Sequence, residues 1–206
     1  MKYNAESCAV ELDARELCLT ALRGGDLDGY PLGAPELPRD DKELFYRLQS
    51  EAGAYYNPDV ELCNTALCNE LYYTVTATAD GIIRKKDGPT VDRIKCVKGK
   101  AFFAPPDELT LAMLKCSAYF LCVRDGLSVI DGRVSYYNIE SKKLKYFKYR
   151  FLLSELKEFY LSLLQKISYR GELIKAHVCC ELPSADQAVF PYSELREGQE
   201  SMVRDC

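Results

Sequence analysis

The spacing of hydrophobic and polar positions changes several times along the chain, and each change predicts an element. After Asp13, the residues Ala14, Leu17, Cys18, Ala21 and Leu22 fall on one face at helical spacing, with Asp13 as the cap and Gly24 and Gly25 as the stop. A Pro- and Gly-rich connection from Gly29 to Pro38 leads to a second helix over Lys42 to Ala52, where Leu44, Phe45, Leu48 and Ala52 repeat. Gly53 to Asn69 carries no clear period. Leu71 to Arg84 then alternates, Tyr73, Val75, Ala77 and Ala79 against Tyr72, Thr74, Thr76 and Thr78, which predicts a strand. Lys85 to Gly88 make a turn, and Thr90 to Val97 return as the partner strand. With that loop, Arg84 faces Pro89, and the register sets Asp80 opposite Arg93 on one sheet face. Period two keeps Lys95 on the face of Arg93 and sends Asp92 to the other.

Pro105 and Pro106 precede a strongly apolar helix from Asp107 to about Val123, with Asp107 as cap. A second hairpin follows, Val129 to Glu140 and Lys143 to Phe151 around Ser141. Ser154 is placed to cap a long amphipathic helix whose apolar side holds Leu156, Phe159, Tyr160, Leu163, Leu164 and Ile167. After about Gly171 the pattern dissolves until Phe190. The core order, helix, hairpin, helix, hairpin, helix, predicts an α/β domain (α+β-like in order) with a mixed central sheet flanked by helices over residues 1–170, and a distinct segment over 171–206.

The chain has 206 residues and a formal net charge of −4, so a nucleic-acid partner must meet a local basic face rather than a basic protein. Its ten cysteines form no C-x-x-C pair, and the N-terminus MKYNAESCAVEL has no apolar run of the signal-peptide kind. The expectation is reduced thiols in a cytoplasm, with buried cysteines as small apolar residues a commoner role than an iron–sulfur cluster held by widely spaced ones. No run approaches the length of a membrane span, so no membrane partner is expected. The single His177 has no partner at useful spacing and reads as structural. The stretch YYNIESKKLKYFKYRF interleaves Lys142, Lys143, Lys145 and Lys148 with Tyr and Phe, a mixture suited to phosphates and bases. A solvated hairpin with a buried aromatic face is the commoner meaning of such a mixture.

These pieces, in order, resemble the PD-(D/E)XK nuclease-like domain at the N-terminus of bacterial XPD/DinG-like DNA helicases, related to RecB-type nucleases. The segments are DARELCLTALRGGDLD, LFYRLQ, TATADGII, VDRIKC, LAMLKCSAY, VSYYNIESKKLKYFKYRF and FPYSELREGQ. The resemblance implies a site in which two carboxylates hold a divalent metal and a lysine stabilises charge. Asp80 matches the first carboxylate and Lys95 the lysine. Arg93 stands where the family usually has Glu, Phe45 where it has His, and Met113 and Ser117 where it has Gln and Tyr.

A guanidinium offers no ligand to Mg²⁺, which takes oxygen donors, and repels the ion. The expectation is therefore a catalytically degenerate, nuclease-like DNA-binding or scaffold module of a DNA repair helicase, without a cofactor and with Arg93 paired to Asp80. One alternative is an active nuclease using Mg²⁺ or Mn²⁺ on Asp80, Asp92 and Lys95. Another is a protein-interaction module of a split helicase. The resemblance implies that residues 171–206 are a linker and the truncated start of a helicase-type ATPase region. In FPYSELREGQ, Tyr192 and Gln199 match residues that contact adenine just before the first ATPase motif, although Gln199 in the isolated chain also reads as a surface residue. No G-x-x-x-x-G-K-[ST] loop occurs, so the resemblance implies an ATPase motor supplied in cis or in trans.

Overall fold

The computed structural model describes residues 1–22, 55–85 and 87–187. Strand β1 (Lys2–Asn4) pairs with β2 (Ala9–Asp13), which runs straight into helix α1 (Ala14–Ala21). Strands β3 (Tyr55–Cys68), β4 (Leu71–Lys85) and β5 (Gly88–Val97) follow, then α2 (Glu108–Asp125), β6 (Val129–Asn138), β7 (Leu144–Leu152) and α3 (Leu153–Gln187). One seven-stranded sheet runs β1-β2-β4-β5-β6-β7, with β3 attached to β4. It is mixed: β2 lies parallel to β4 and β5 parallel to β6, and the other pairs are antiparallel. The three α-helices among the described residues touch one another and share one core with the sheet. The predicted α/β architecture, a mixed sheet flanked by helices, is the one observed.

Local signals located their elements well. Asp13 caps α1 through its carboxylate and the Glu16 amide at 2.8 Å, and Asp107 caps α2 through the Thr110 amide at 2.7 Å. Gly126, at φ 67°, closes α2 in the left-handed region. α2 is apolar almost all round because it is buried on nearly every side, from Ala112 to Cys122. Arg84 faces Pro89, as the hairpin register requires.

Three strands escaped the sequence pattern. β1 and β2 have 3 and 5 residues. β3 has 14 residues but buries only Tyr56, Leu62 and Cys68, and Asp59 interrupts it at φ 49°. An edge strand that buries so little leaves almost no period to read. Ser154 lies inside the first turn of α3 rather than at its cap; Glu155 accepts from the Leu152 amide at 3.4 Å instead.

α3 also continues well beyond Gly171. That glycine is a place of close approach, since a Cβ there would meet the Tyr73 hydroxyl at 2.3 Å. Tyr73 is fully buried beneath it and donates to the Ser168 carbonyl at 3.3 Å. Position 171 therefore lies within a helix that docks on β4. The helix expected over Lys42 to Ala52, Phe45 with it, the stop at Gly24 and Gly25, and Tyr192 and Gln199 lie outside the described residues.

Candidate functional site

The site is a fork in the sheet. β3 covers one edge of β4 from Leu71 to Arg84. The opposite edge is shared: β2 pairs as far as Asp13 with Thr76, and β5 pairs only from Gly81 with Asp92 onward. Among the described residues, no strand pairs with Ala77 to Asp80 on that edge. β4 also changes face here, because Ala77, Ala79 and Ile82 all enter the helix-side core although Ile82 has the other parity. Asp80 stands at this switch.

Side chains fill what the ladder leaves open. One Asp80 oxygen accepts from the Ile94 amide at 2.7 Å, replacing a strand bond, and the other accepts from Arg93 Nη1 at 3.3 Å. Arg93 also donates to the Thr78 carbonyl at 3.5 Å, and its second Nη approaches Met113 Sδ at 3.7 Å. The expected pairing of Asp80 with Arg93 is thus present as a side-chain contact just beyond the end of the β4–β5 ladder. Burial raises the Asp80 carboxyl above its ordinary range; Arg93 and the Ile94 bond oppose that rise, and Asp92 and Asp59 add to it.

Lys95 shares the face of Arg93 but turns to the start of α2. Its Nζ forms an ion pair with Asp107 and lies 3.4 Å from Thr110 Oγ1. The cap residue of α2 therefore also holds the lysine. Burial would raise the Asp107 carboxyl, but the bonds from Lys95 and Thr110 outweigh it and hold it below the usual aspartate range. A depressed acid contributes stability that is present above its unfolded value, near pH 4, and is lost as pH falls through the folded value. Asp107→Ala should therefore cost about 1 kcal/mol near neutrality, the worth of a cap. In urea unfolding the gap from the unaltered protein should close in acid below about pH 4.

Asp92, the fallback carboxylate for a metal, does not face this site. It is fully buried on the other side of β5, where Arg133 donates to both its oxygens at 2.6 and 3.0 Å. Ser135 Oγ donates at 2.6 Å and Tyr56 OH at 3.2 Å. Tyr56 reaches it across Gly81, where a Cβ would fall 2.1 Å from the ring. The buried Arg133–Ser135–Tyr56 network carried no signal in the sequence.

The four lysines of the second hairpin do not form one surface. Lys142 and Lys143 are exposed at the turn, and Lys148 is exposed on β7 with Tyr146 and Arg150. Lys145 has the opposite parity; its ammonium lies 4.6 Å from the Phe147 ring centroid and donates to the Phe103 carbonyl at 3.3 Å. β7 lies two strands from β5, about 10 Å away.

The fork opens on a cleft of about 350 Å³ lined by Arg15, Thr76, Thr78, Arg93, Met113 and Ser117, with Asp13 at its rim. Three positions that depart from the nuclease pattern, Arg93, Met113 and Ser117, thus meet in one place, joined by the first turn of α1. The residues present do not fit Mg²⁺ or Mn²⁺: both Asp80 oxygens are engaged, a guanidinium stands beside them, and Asp92 faces away. Among the described residues, no group of three or more His, Cys, Asp or Glu is placed to hold a metal ion. No helix among them is long and apolar enough to cross a membrane.

No family model matches the chain, and no curated protein matches it. Two solved structures of LHK-Exo, an alkaline exonuclease from Laribacter hongkongensis, do. The first is 10% identical, covers 89% of this chain and 97% of that one, and superposes with a TM-score of 0.54. The second, LHK-Exo in complex with dAMP, is 12% identical, covers 90% and 98%, and gives 0.53. The fold is shared with that exonuclease. This nuclease-like fold agrees with the architecture that the sequence segments implied. The attachment to an XPD/DinG-like helicase draws no support from these structures and rests on the segments alone.

Proposed function

We propose that this chain is a nucleic-acid-binding domain built on a nuclease-like fold, with the metal centre closed by Arg93, so that it holds DNA without cutting it. The observation that carries this reading is the Arg93–Asp80 ion pair at 3.3 Å, made while the second Asp80 oxygen is held by the Ile94 amide. Lys95 is likewise committed to Asp107. Lys142, Lys143 and Lys148 offer exposed cations to phosphates, with Tyr146, 40% exposed, among them for stacking on a base. The neighbour crystallised with dAMP supports the same ligand class. The segment FPYSELREGQ supports a further association, in cis or in trans, with an ATPase motor of the helicase type.

The test is incubation with single-stranded and flapped DNA in Mg²⁺ or Mn²⁺. Salt-dependent binding without cleavage is expected. Replacing Lys142, Lys143 and Lys148 by Ala should flatten the dependence of log K on log salt by about 2, at roughly 0.7 per single-strand phosphate contact. Metal-dependent cleavage that disappears in Asp80→Ala would overturn the reading.

A further inference from the structure

The chain leaves β5 through a bend at Gly99, φ 53°, into a short helical turn over Gly99–Phe103. Three contacts tie this turn to the β6–β7 hairpin. The Ile139 amide donates to the Val97 carbonyl at 3.2 Å, the Gly99 amide to Glu140 Oε2 at 3.3 Å, and Lys145 Nζ to the Phe103 carbonyl at 3.3 Å. Residues 98–104 and 139–145 therefore form one edge at the end of the sheet. They carry five lysines, Lys98, Lys100, Lys142, Lys143 and Lys145, against a single acid, Glu140, in a chain of net charge −4. All of these lysines but Lys145 are exposed. Like charges gathered on an otherwise acidic protein repel one another, and an anionic partner relieves that repulsion. Within the same edge stands Phe103, 74% exposed. Its neighbour Phe102 packs on the core and meets the Phe103 ring at 82°, 5.5 Å between centroids, and the Lys145 ammonium lies 5.8 Å from the Phe103 centroid. The ring is thus braced on its inner side and open to solvent on the other, so a planar partner can stack on it with little loss of freedom.

From this arrangement we infer that the edge binds a single nucleic-acid strand, with one base stacked on Phe103 and phosphates along the strand on Lys98, Lys100, Lys142 and Lys143. Stacking on a side chain needs an unstacked base, which a single strand offers and a duplex does not, so the edge selects single strands. The inference rests on the nucleic-acid binding proposed above and adds to it a contact residue outside the β6–β7 hairpin and a strand preference. An anionic membrane also attracts lysines. One exposed phenylalanine, however, buries too little apolar surface to hold a domain on a bilayer, whereas a single aromatic ring is enough to stack one base.

The chain has no tryptophan, so Phe103→Trp in the full chain gives one fluorescent reporter at the contact. Titration with oligodeoxythymidylate should quench its emission saturably, and an abasic deoxyribose-phosphate chain of the same length should bind without quenching. Phe103→Ala, at an exposed position, should lose about tenfold in affinity for the oligonucleotide, the contribution of one base–aromatic stack, and almost none for the abasic chain. Duplex DNA of the same length should compete less well than the single strand. Equal quenching by the abasic chain, unchanged affinity in Phe103→Ala, or preference for duplex overturns the contact. A blue shift with phosphatidylserine vesicles and no response to the oligonucleotide assigns the edge to a membrane and overturns it as well. If Phe103→Ala is without effect while DNA is still bound and is released on replacing Lys142, Lys143 and Lys148, the nucleic-acid-binding reading stands without this edge. Absence of DNA binding altogether removes both.

Discussion

Asp92→Ala should destabilise the fold by about 3–5 kcal/mol, the cost of leaving one half of a buried ion pair without its partner. The Arg133 side chain is 11% exposed, and its guanidinium would lose both carboxylate oxygens at once. Ser135 Oγ would lose its carboxylate acceptor in the same step, and Tyr56 OH the nearer of its acceptors, the Asp80 carbonyl at 3.5 Å remaining. The face of Tyr146 lies 4.5 Å from the guanidinium carbon, and a desolvated cation cannot use it in place of a counter-charge. Replacing both partners by apolar residues, Asp92→Leu with Arg133→Met, should recover most of the loss, because the desolvation of both charges goes with them. Urea unfolding of the two variants measures this directly. A loss below about 1 kcal/mol in Asp92→Ala would place the pair in the class of water-screened surface bridges and free Asp92 for another role.

The different fates of Asp80 and Asp92 show which parts of the site could be read in sequence. Asp80 and Arg93 belong to one hairpin, and a short turn fixes the register of a hairpin. Their meeting was therefore legible from a few adjacent residues. Two partners of Asp92, Arg133 and Ser135, come from β6, which lies parallel to β5 and is reached through the whole of α2, and a third, Tyr56, comes from β3. No turn sets that register, so neither Arg133 nor Ser135 could be assigned to Asp92 by counting. The same distinction separates the helix caps from the fork. Asp13 and Asp107 act on amides three residues away, and their types announce them. The fork needs β2 and β5 to divide one edge of β4, a contact between the N-terminus and the middle of the chain that leaves no local trace.

Period also explains what composition concealed. Lys145 and Lys148 sit on one short strand but are three residues apart, which in a strand means opposite faces. The basic, aromatic stretch is real as composition and divided as surface. β3 fails in the reverse way: with three buried residues in fourteen it looks like a loop, yet it pairs along nearly the whole of β4. Pairing there is carried by backbone hydrogen bonds, to which side-chain patterning is blind.

Arg93→Glu should turn the fork into a metal site, and this is the sharpest test of why the centre is closed. In the unaltered protein the guanidinium neutralises Asp80 and occupies the space beside it. Substitution places a second carboxylate in that space. Two acids so close cannot both ionise freely, so the variant without metal should lose stability as pH rises through their raised values. Mn²⁺ should then restore it, by about 2.7 kcal/mol at a hundredfold excess over the dissociation constant. Thermal unfolding with and without Mn²⁺ reads both effects, and adding Asp80→Asn to the variant should abolish the gain because it removes one of the two charged ligands. The unaltered chain should show no Mn²⁺ dependence of its own. A stabilisation by Mn²⁺ in that chain which Asp80→Asn removes would mean that Arg93 yields to the ion, and the centre would be gated rather than closed.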